Sequence, residues 1–247
     1  MVNAGYLSVK SGLHVLTDFR NQDMAAGGIG TPMAAIIDRD LFPEFNICIN
    51  LGGIANITIK RNTSVEAYDL APCNQVHNYY ASELGELMDK DGFLCRDVLP
   101  DNSLVNKLMT SDYVLGSSPK YIDNAWIQKK WIKDIIGHDL DPAVCLRSHY
   151  EFLALLIANV CRDETKVLVT GGGAKNSFFI ELLKEKAREA QVIVPAVKII
   201  DFKECILMAY MAYKRIRKEK NFIPEATGAK NSSSAGALYF NINTDIH

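Results

Sequence analysis

Residues 46–74, NICINLGGIANITIKRNTSVEAYDLAPCN, constrain the fold more tightly than any other stretch of this chain. Residues 46–51 are apolar and β-branched, the composition of a buried strand. Gly52 and Gly53 follow, and without Cβ atoms they permit a sharp turn and let backbone amides approach whatever lies above. Residues 54–60 alternate, with Ile54, Asn56, Thr58 and Lys60 on one face and Ala55, Ile57 and Ile59 on the other. A polar turn at residues 61–63 leads into a returning strand, 64–69, expected to end on Asp69 shortly before a helix. A glycine-tipped hairpin beside a carboxylate can hold a phosphate and a general base in one cleft. The same letters also describe a plain hairpin whose glycines only make the turn.

A second glycine turn lies far downstream. The apolar run 166–170 (KVLVT) enters Gly171-Gly172-Gly173-Ala174-Lys175-Asn176, and a helix is predicted over 177–189. Strand, triple glycine and helix have the form of a nucleotide-binding turn, with amides facing the ligand at a helix N-terminus. The stretch is neither a Walker A loop nor a GxGxxG fingerprint, so a tight turn without ligand stays open. A short strand, 191–194, comes next. Asp201 with Glu204 three residues on reads as a capping box that opens a helix reaching residue 218. Strands and helices alternate here, which predicts an α/β fold with a mixed sheet, the hairpins supplying antiparallel pairing.

Upstream of the hairpin, residues 5–10 read as the tail of a helix closed by Gly12, and 13–17 as a strand. Asp18, Arg20 and Asp23 then precede a glycine-rich loop holding Gly27, Gly28 and Gly30. Polar groups beside closely approaching backbone suit sugar hydroxyls, and a surface turn with a local Asp–Arg pair is the alternative. Thr31 as N-cap and Pro32 at the first helical position predict a helix over 32–41. Further helices are predicted over 75–88, 104–109, within 121–136, and over 149–161, the last strongly apolar and buried. Residues 226–239 form a small-residue loop leading into a strand-like end that docks.

Composition excludes several classes. A net charge of −2 gives no electrostatic case for nucleic acid. No apolar run reaches the roughly 18 residues of a membrane span, and the N-terminus lacks a signal peptide's apolar core. The six cysteines (Cys48, Cys73, Cys95, Cys145, Cys161, Cys205) show no CxxC spacing, and the five histidines show no ligand spacing. No metal site is therefore expected, and the thiols suit a reducing, cytoplasmic compartment. With 247 residues, the chain makes one large domain or two modest lobes.

Four stretches in order, DFRNQDMAAGGIGTP (18–32), INLGGIANIT (49–58), YDLAPCN (68–74) and VTGGGAKN (169–176), resemble the anhydro-N-acetylmuramic acid kinases, sugar kinases of the actin-like ATPase (ribonuclease H-like) fold. IDFKECILMAYMAY (200–213) and ATGAKNSSSAGALY (226–239) add weaker support. The resemblance implies an ATP- and Mg²⁺-dependent enzyme that opens the 1,6-anhydro ring with water and phosphorylates O6, feeding cell-wall recycling. It implies Gly52, Gly53 and Asn56 at the ATP phosphates, and Gly171, Gly172, Gly173 and Asn176 on the adenosine side. Asp69 stands where the family has its catalytic base, and Glu204 matches a glutamate of a late helix. Asp18, Arg20, Asp23, Gly28 and Gly30 fall on the sugar side. A homodimer is implied as well.

The chain also departs from the family pattern. An upstream lobe with a Gly-Thr-Ser-x-Asp-Gly loop is not among its residues, so the expectation is the larger C-terminal part of a kinase. On that basis 1–22 is read as a remnant of the first lobe, 23–225 as the second lobe, and 226–247 as a segment returning to the first. The family's Asp-Thr-Gly-Pro-Gly-Asn becomes Asp69-Leu70-Ala71-Pro72-Cys73-Asn74, whose bulk at Leu70 and Cys73 is expected to narrow the cleft. Its Pro-Lys-Ser-Thr-Gly-Arg-Glu stretch becomes Pro119-Lys120-Tyr121-Ile122-Asp123-Asn124-Ala125, losing an arginine and a glutamate. A non-catalytic nucleotide- or sugar-binding paralogue is the rival reading.

Overall fold

The computed structural model describes residues 3–62, 64–117, 120–137, 139–161 and 166–241. Thr63 of the expected turn, Pro119, His138 and the expected segment's end, 242–247, lie outside the described residues. Numbered along the chain, the strands are β1 Val15–Thr17, β2 Ile47–Leu51, β3 Ile54–Lys60, β4 Val65–Pro72, β5 Lys166–Thr170, β6 Gln191–Ile193 and β7 Ala237–Tyr239. The helices are α1 Ala4–Ser11, α2 Arg20–Ala25, α3 Ala35–Asp40, α4 Asn74–Glu83, α5 Asn102–Met109, α6 Asp112–Leu115, α7 Asn124–Trp126, α8 Pro142–Val160, α9 Ser177–Lys186, α10 Val197–Ile216 and α11 Pro224–Thr227. A π-helical run, Ile127–Ile136, continues directly from α7.

Two compact units divide the chain: a sheet unit, Phe42–Lys203, and a terminal unit, Met1–Leu41 with Glu204–His247. The expected lobes had their borders at 22 and 225. The two units divide after Leu41 and inside α10, after Lys203. Asp201 and Glu204 are interior residues of α10, which starts at Val197, and the Asp201 carboxylate pairs with Lys175.

In the sheet unit the strand order is β4-β3-β2-β5-β6. β3 runs antiparallel to both β2 and β4, while β2, β5 and β6 are mutually parallel. One reversed strand in second place of five is the ordering of the actin-like ATPase fold that the sequence implied. Both faces of β2 and β5 are covered, as expected for parallel central strands. Ile47, Ile49, Leu51, Val167 and Val169 join the main core, and Cys48 and Leu168 pack with Phe45 on the other side.

α8 begins at Pro142 rather than 149, with the Asp141 carboxylate accepting from Ala143 N at 2.8 Å. Proline at the first helical position costs no intrahelical hydrogen bond, so the helix extends back to that cap. At nineteen residues α8 is long and apolar enough to cross a membrane by length and mean composition, although Arg147, His149 and Glu151 interrupt its apolar run. Eleven of its residues are buried inside the unit, His149 and Glu151 among them, which is the signature of a core helix.

In the terminal unit β1 pairs antiparallel with β7, so the strand-like end does dock. The expected helix tail is a complete helix: Asn3 caps α1 by accepting from Tyr6 N at 2.9 Å, and Gly12 closes it in the left-handed region at φ 71°. Residues 20–25, just ahead of the glycine-rich loop, form α2. The helix expected from Pro32 starts at Ala35, and the Thr31–Pro32 peptide is cis. Buried Asn221 ties α10 to the stretch before β7, donating to Met211 O at 3.1 Å and to Ala235 O at 2.8 Å.

Candidate active site

The Gly52–Gly53 tip is clasped by the start of α4. Its N-cap position holds Cys73, which offers no side-chain acceptor, so the tip's carbonyls satisfy the helix's first donors. Cys73 N donates to Gly53 O at 3.0 Å, Asn74 N to Gly52 O at 3.1 Å and Gln75 N to Gly53 O at 3.2 Å. The Asn74 side chain reaches back to Leu51 O at 2.9 Å.

The triple-glycine turn packs onto the same place. Gly171 has φ 85°, and a Cβ on it would stand 2.7 Å from the Leu51 carbonyl carbon. A Cβ on Gly173 would stand 2.8 Å from Leu51 Cβ and 3.0 Å from Asn74 Oδ1. These two glycines are therefore required by close packing. Gly172 differs, because a Cβ there meets nothing nearer than Asn74 Nδ2 at 3.9 Å. Gly172 and Gly173 border a cavity of about 480 Å³ together with Asn74, His77, Tyr150 and Asn176. Its lining does not include Gly52, Gly53, Asn56 or Asp69. Asn176 caps α9, accepting from Phe179 N at 3.1 Å, and its amide donates to Tyr150 Oη at 3.0 Å and Asp89 O at 3.3 Å.

Asp69 lies inside β4, not at its end, since the strand continues to Pro72. Pairing with β3 runs Asn56 opposite Asp69 and Ala55 opposite Ala71, so Leu70 is an extra residue, a β-bulge. Asn56 Nδ2 donates to Asp69 Oδ1, and Ile122 N donates to Asp69 Oδ2 at 3.0 Å. Burial raises the Asp69 carboxyl above its ordinary value, opposed by these two hydrogen bonds, which favour the carboxylate. Leu70 and Cys73 are buried in the core, so their bulk fills the interior and does not narrow a cleft.

α6 and the segment after it support Asp69 in a way that motif reading missed. Tyr113 Oη donates to Asp69 O at 2.5 Å, and Asp69 N donates to Lys120 O at 2.9 Å. Lys120 Nζ donates to the carbonyls of Tyr113 and Val114, each at 2.8 Å, and lies over the Tyr113 ring. Each of these contacts ends on a backbone carbonyl, which carries no residue-type signal in the sequence.

In the terminal unit, Asp18 and Arg20 line a cavity of about 620 Å³ with His14, Phe19, Met24 and Met208. Asp23 is fully buried: Gly30 N donates to it at 2.9 Å and Thr227 Oγ1 at 2.8 Å. A Cβ on Gly28 would collide with that carboxylate. Asp23, Gly28 and Gly30 thus fasten the glycine-rich loop internally, while Asp18 and Arg20 are exposed. Glu204 is exposed on α10. Among the described residues no cluster of His, Cys, Asp and Glu forms a metal site. Five cysteines are buried and Cys205 is exposed, and none is in a disulfide.

A family model described as anhydro-N-acetylmuramic acid kinase matches residues 1–241. Curated relatives of that name include those of Nitrosospira multiformis (29% identical, covering 97% of this chain and 68% of the relative) and Aliivibrio fischeri (31%, 96% and 68%). That of Sulfurimonas denitrificans is 29% identical, covering 96% and 69%. Among solved structures, the activator of 2-hydroxyisocaproyl-CoA dehydratase from Clostridium difficile with bound ADPNP aligns over 77% of this chain and 69% of its own, at 16% identity and a TM-score of 0.39. Component A of (R)-2-hydroxyglutaryl-CoA dehydratase from Acidaminococcus fermentans aligns over 75% and 68%, at 16% identity and a TM-score of 0.42.

Proposed function

The chain belongs to the anhydro-N-acetylmuramic acid kinase family, and from that membership we propose that it takes part in hydrolytic opening and 6-O-phosphorylation of 1,6-anhydro-N-acetylmuramic acid during peptidoglycan recycling. The observation that carries this reading is the Asp69 carboxylate, held at a bulge by Asn56 and Ile122 on the strand that leads to the glycine-clasped start of α4. A carboxylate with raised proton affinity and fixed orientation suits a general base. In this role Asp69 takes a proton from the water that attacks the anomeric carbon. Asn56 and Ile122 N hold its two oxygens, so the group does not reorient as it takes the proton.

ATP, when bound, supplies the phosphoryl group. The open face of Gly172 and the adjoining cavity fit a nucleotide, because backbone there can come close to a ligand without a side chain intervening. Gly52 and Gly53 would flank its phosphates and Gly171–Gly173 with Asn176 its adenosine side. Mg²⁺ would arrive on those phosphates, a mode that needs few protein carboxylates. Asp18 and Arg20 are the proposed sugar contacts, with Asp23, Gly28 and Gly30 shaping the loop beside them; Glu204 is a second proposed catalytic group. Free thiols suit a cytoplasmic enzyme, and the family implies a homodimer. The test is direct: purified chain, ATP–Mg²⁺ and the anhydro-sugar are incubated and the 6-phosphate is measured. ATP binding without product would favour the non-catalytic paralogue.

A further inference from the structure

Trp131 in the π-helical run, His149 in α8 and His77 in α4 form a buried hydrogen-bonded row that the catalytic reading does not use. An indole N–H can only donate, so Trp131 Nε1 donates to His149 Nε2 at 3.1 Å. With its Nε2 accepting, a neutral His149 carries its proton on Nδ1, which lies 3.0 Å from His77 Nε2. Burial keeps both rings neutral: it pushes His149 down to about 3 and His77 well below the usual range. His77 Nε2 is therefore an acceptor, and the His77 proton sits on Nδ1. The Tyr150 ring packs 4.1 Å from the His77 ring, centroid to centroid at 36°, and fixes its plane.

His77 also lines the cavity beside Gly172 and Gly173. Its Nε2 is taken by His149, so Nδ1 is the ring nitrogen that remains for a ligand there. We propose that the row Trp131–His149–His77 locks His77 as an N–H donor that reads a lone-pair acceptor on the nucleoside portion of the bound nucleotide. This inference rests on the nucleotide reading above. An imidazole free to change tautomer can meet a donor or an acceptor. This one only donates, so it favours a ring nitrogen or ribose oxygen and disfavours an N–H in the same place. Trp131 and His149 act through His77 and are positioning residues; His77 is the specificity-determining contact.

The test uses the full chain labelled with ¹⁵N-histidine. Long-range ¹H–¹⁵N correlation is expected to show both His149 and His77 protonated on Nδ1, with the His77 Nδ1 signal shifting on saturation with ATP. In calorimetry, His77→Leu is expected to weaken ATP binding about tenfold, the cost of one neutral hydrogen bond whose acceptor is left unpaired. An Nε2-protonated His77, an Nδ1 signal unmoved by bound ATP, or unchanged affinity in a folded His77→Leu variant overturns the proposal. If the wild-type chain binds no ATP, the nucleotide reading fails and takes this proposal with it; if it binds ATP while the His77 signal stays put, only the present proposal fails.

Discussion

Ile122 donates its backbone N–H to Asp69 Oδ2 at 3.0 Å from a segment 53 residues further along the chain. Asn56 holds the other oxygen from the neighbouring strand. The carboxylate is thus fixed by one local and one distant donor, neither of them charged, so its orientation is set while burial keeps its proton affinity high. That combination suits a base better than a salt bridge would, because a cationic partner would lower the proton affinity.

Replacing Asp69, the proposed base, should separate chemistry from binding. Asp69→Asn is expected to lower kcat by about 10²–10⁴-fold, the usual contribution of a general base, while ATP affinity changes little. Steady-state kinetics and calorimetry on the same preparation measure both. Turnover retained near the wild-type level would remove Asp69 from the base role.

The raised carboxyl makes two pH statements of definite sign. In the proposed role the carboxylate is the working form, so kcat/KM should fall on acidification with a midpoint above the ordinary aspartate value of 3.8. Stability runs the other way. A group whose folded pKa exceeds its unfolded one contributes fully below the unfolded value, and that contribution is lost as pH rises through the folded one. Asp69→Asn should therefore gain on the wild type in urea midpoint as pH rises through that window. An acid limb at or below 3.8 would contradict the first statement.

Tyr113→Phe deletes the hydroxyl that donates to Asp69 O. The expected cost is about 1 kcal/mol of stability, typical of one hydrogen bond, with a fall in kcat and little change in KM for ATP. Thermal melts and kinetics would show it. A variant identical to wild type in both would mean that this bond does not position the strand.

Gly171 and Gly172 of the second turn should respond differently. Gly171→Ala combines a left-handed backbone with a clash against Leu51 and is expected to cost about 3 kcal/mol or more. Gly172→Ala should fold within about 1 kcal/mol of wild type yet bind ATP less well, since its new methyl enters the space beside the cavity. Melting temperature and ATP titration separate the two. Equal losses of stability at both positions would refute the distinction.

Asp23→Ala leaves the Gly30 amide unpaired inside the terminal unit and leaves the Thr227 hydroxyl only its longer bond to Ile223 O at 3.5 Å. A loss of about 3 kcal/mol is expected, measurable by urea unfolding. A loss below about 1 kcal/mol would mean that water replaces the carboxylate.

Local pattern made much of this architecture legible. The hairpin, both glycine turns and the core strands follow from apolar runs and glycine placement, which are short-range signals. Misreadings arose where tertiary context overrode local preference. Asp201 and Glu204 spell a capping box, yet α10 already runs from Val197, and Asp201 meets Lys175 instead. Asp69 was expected to close its strand, but a bulge at Leu70 carries pairing on to Pro72. Asp23 reads as a polar ligand group from its neighbours in sequence; only the fold reveals Thr227, 204 residues away, as its partner. The row from Trp131 to His77 is likewise invisible to spacing, because its members come from three elements and meet only in the core.

The extra residue in β4 acts as a spacer. A straight ladder beyond Asp69 would set Leu70 opposite Ala55 and bring Cys73, Asn74 and Gln75 into place one position out of step with the carbonyls of Gly52 and Gly53 that receive them. What the molecule must conserve between the acid and the asparagine is thus a count, more than an alphabet. The family pattern and this chain differ at three of the four intervening letters but not in their number, and changes of side chain there should be far better tolerated than the gain or loss of a single residue.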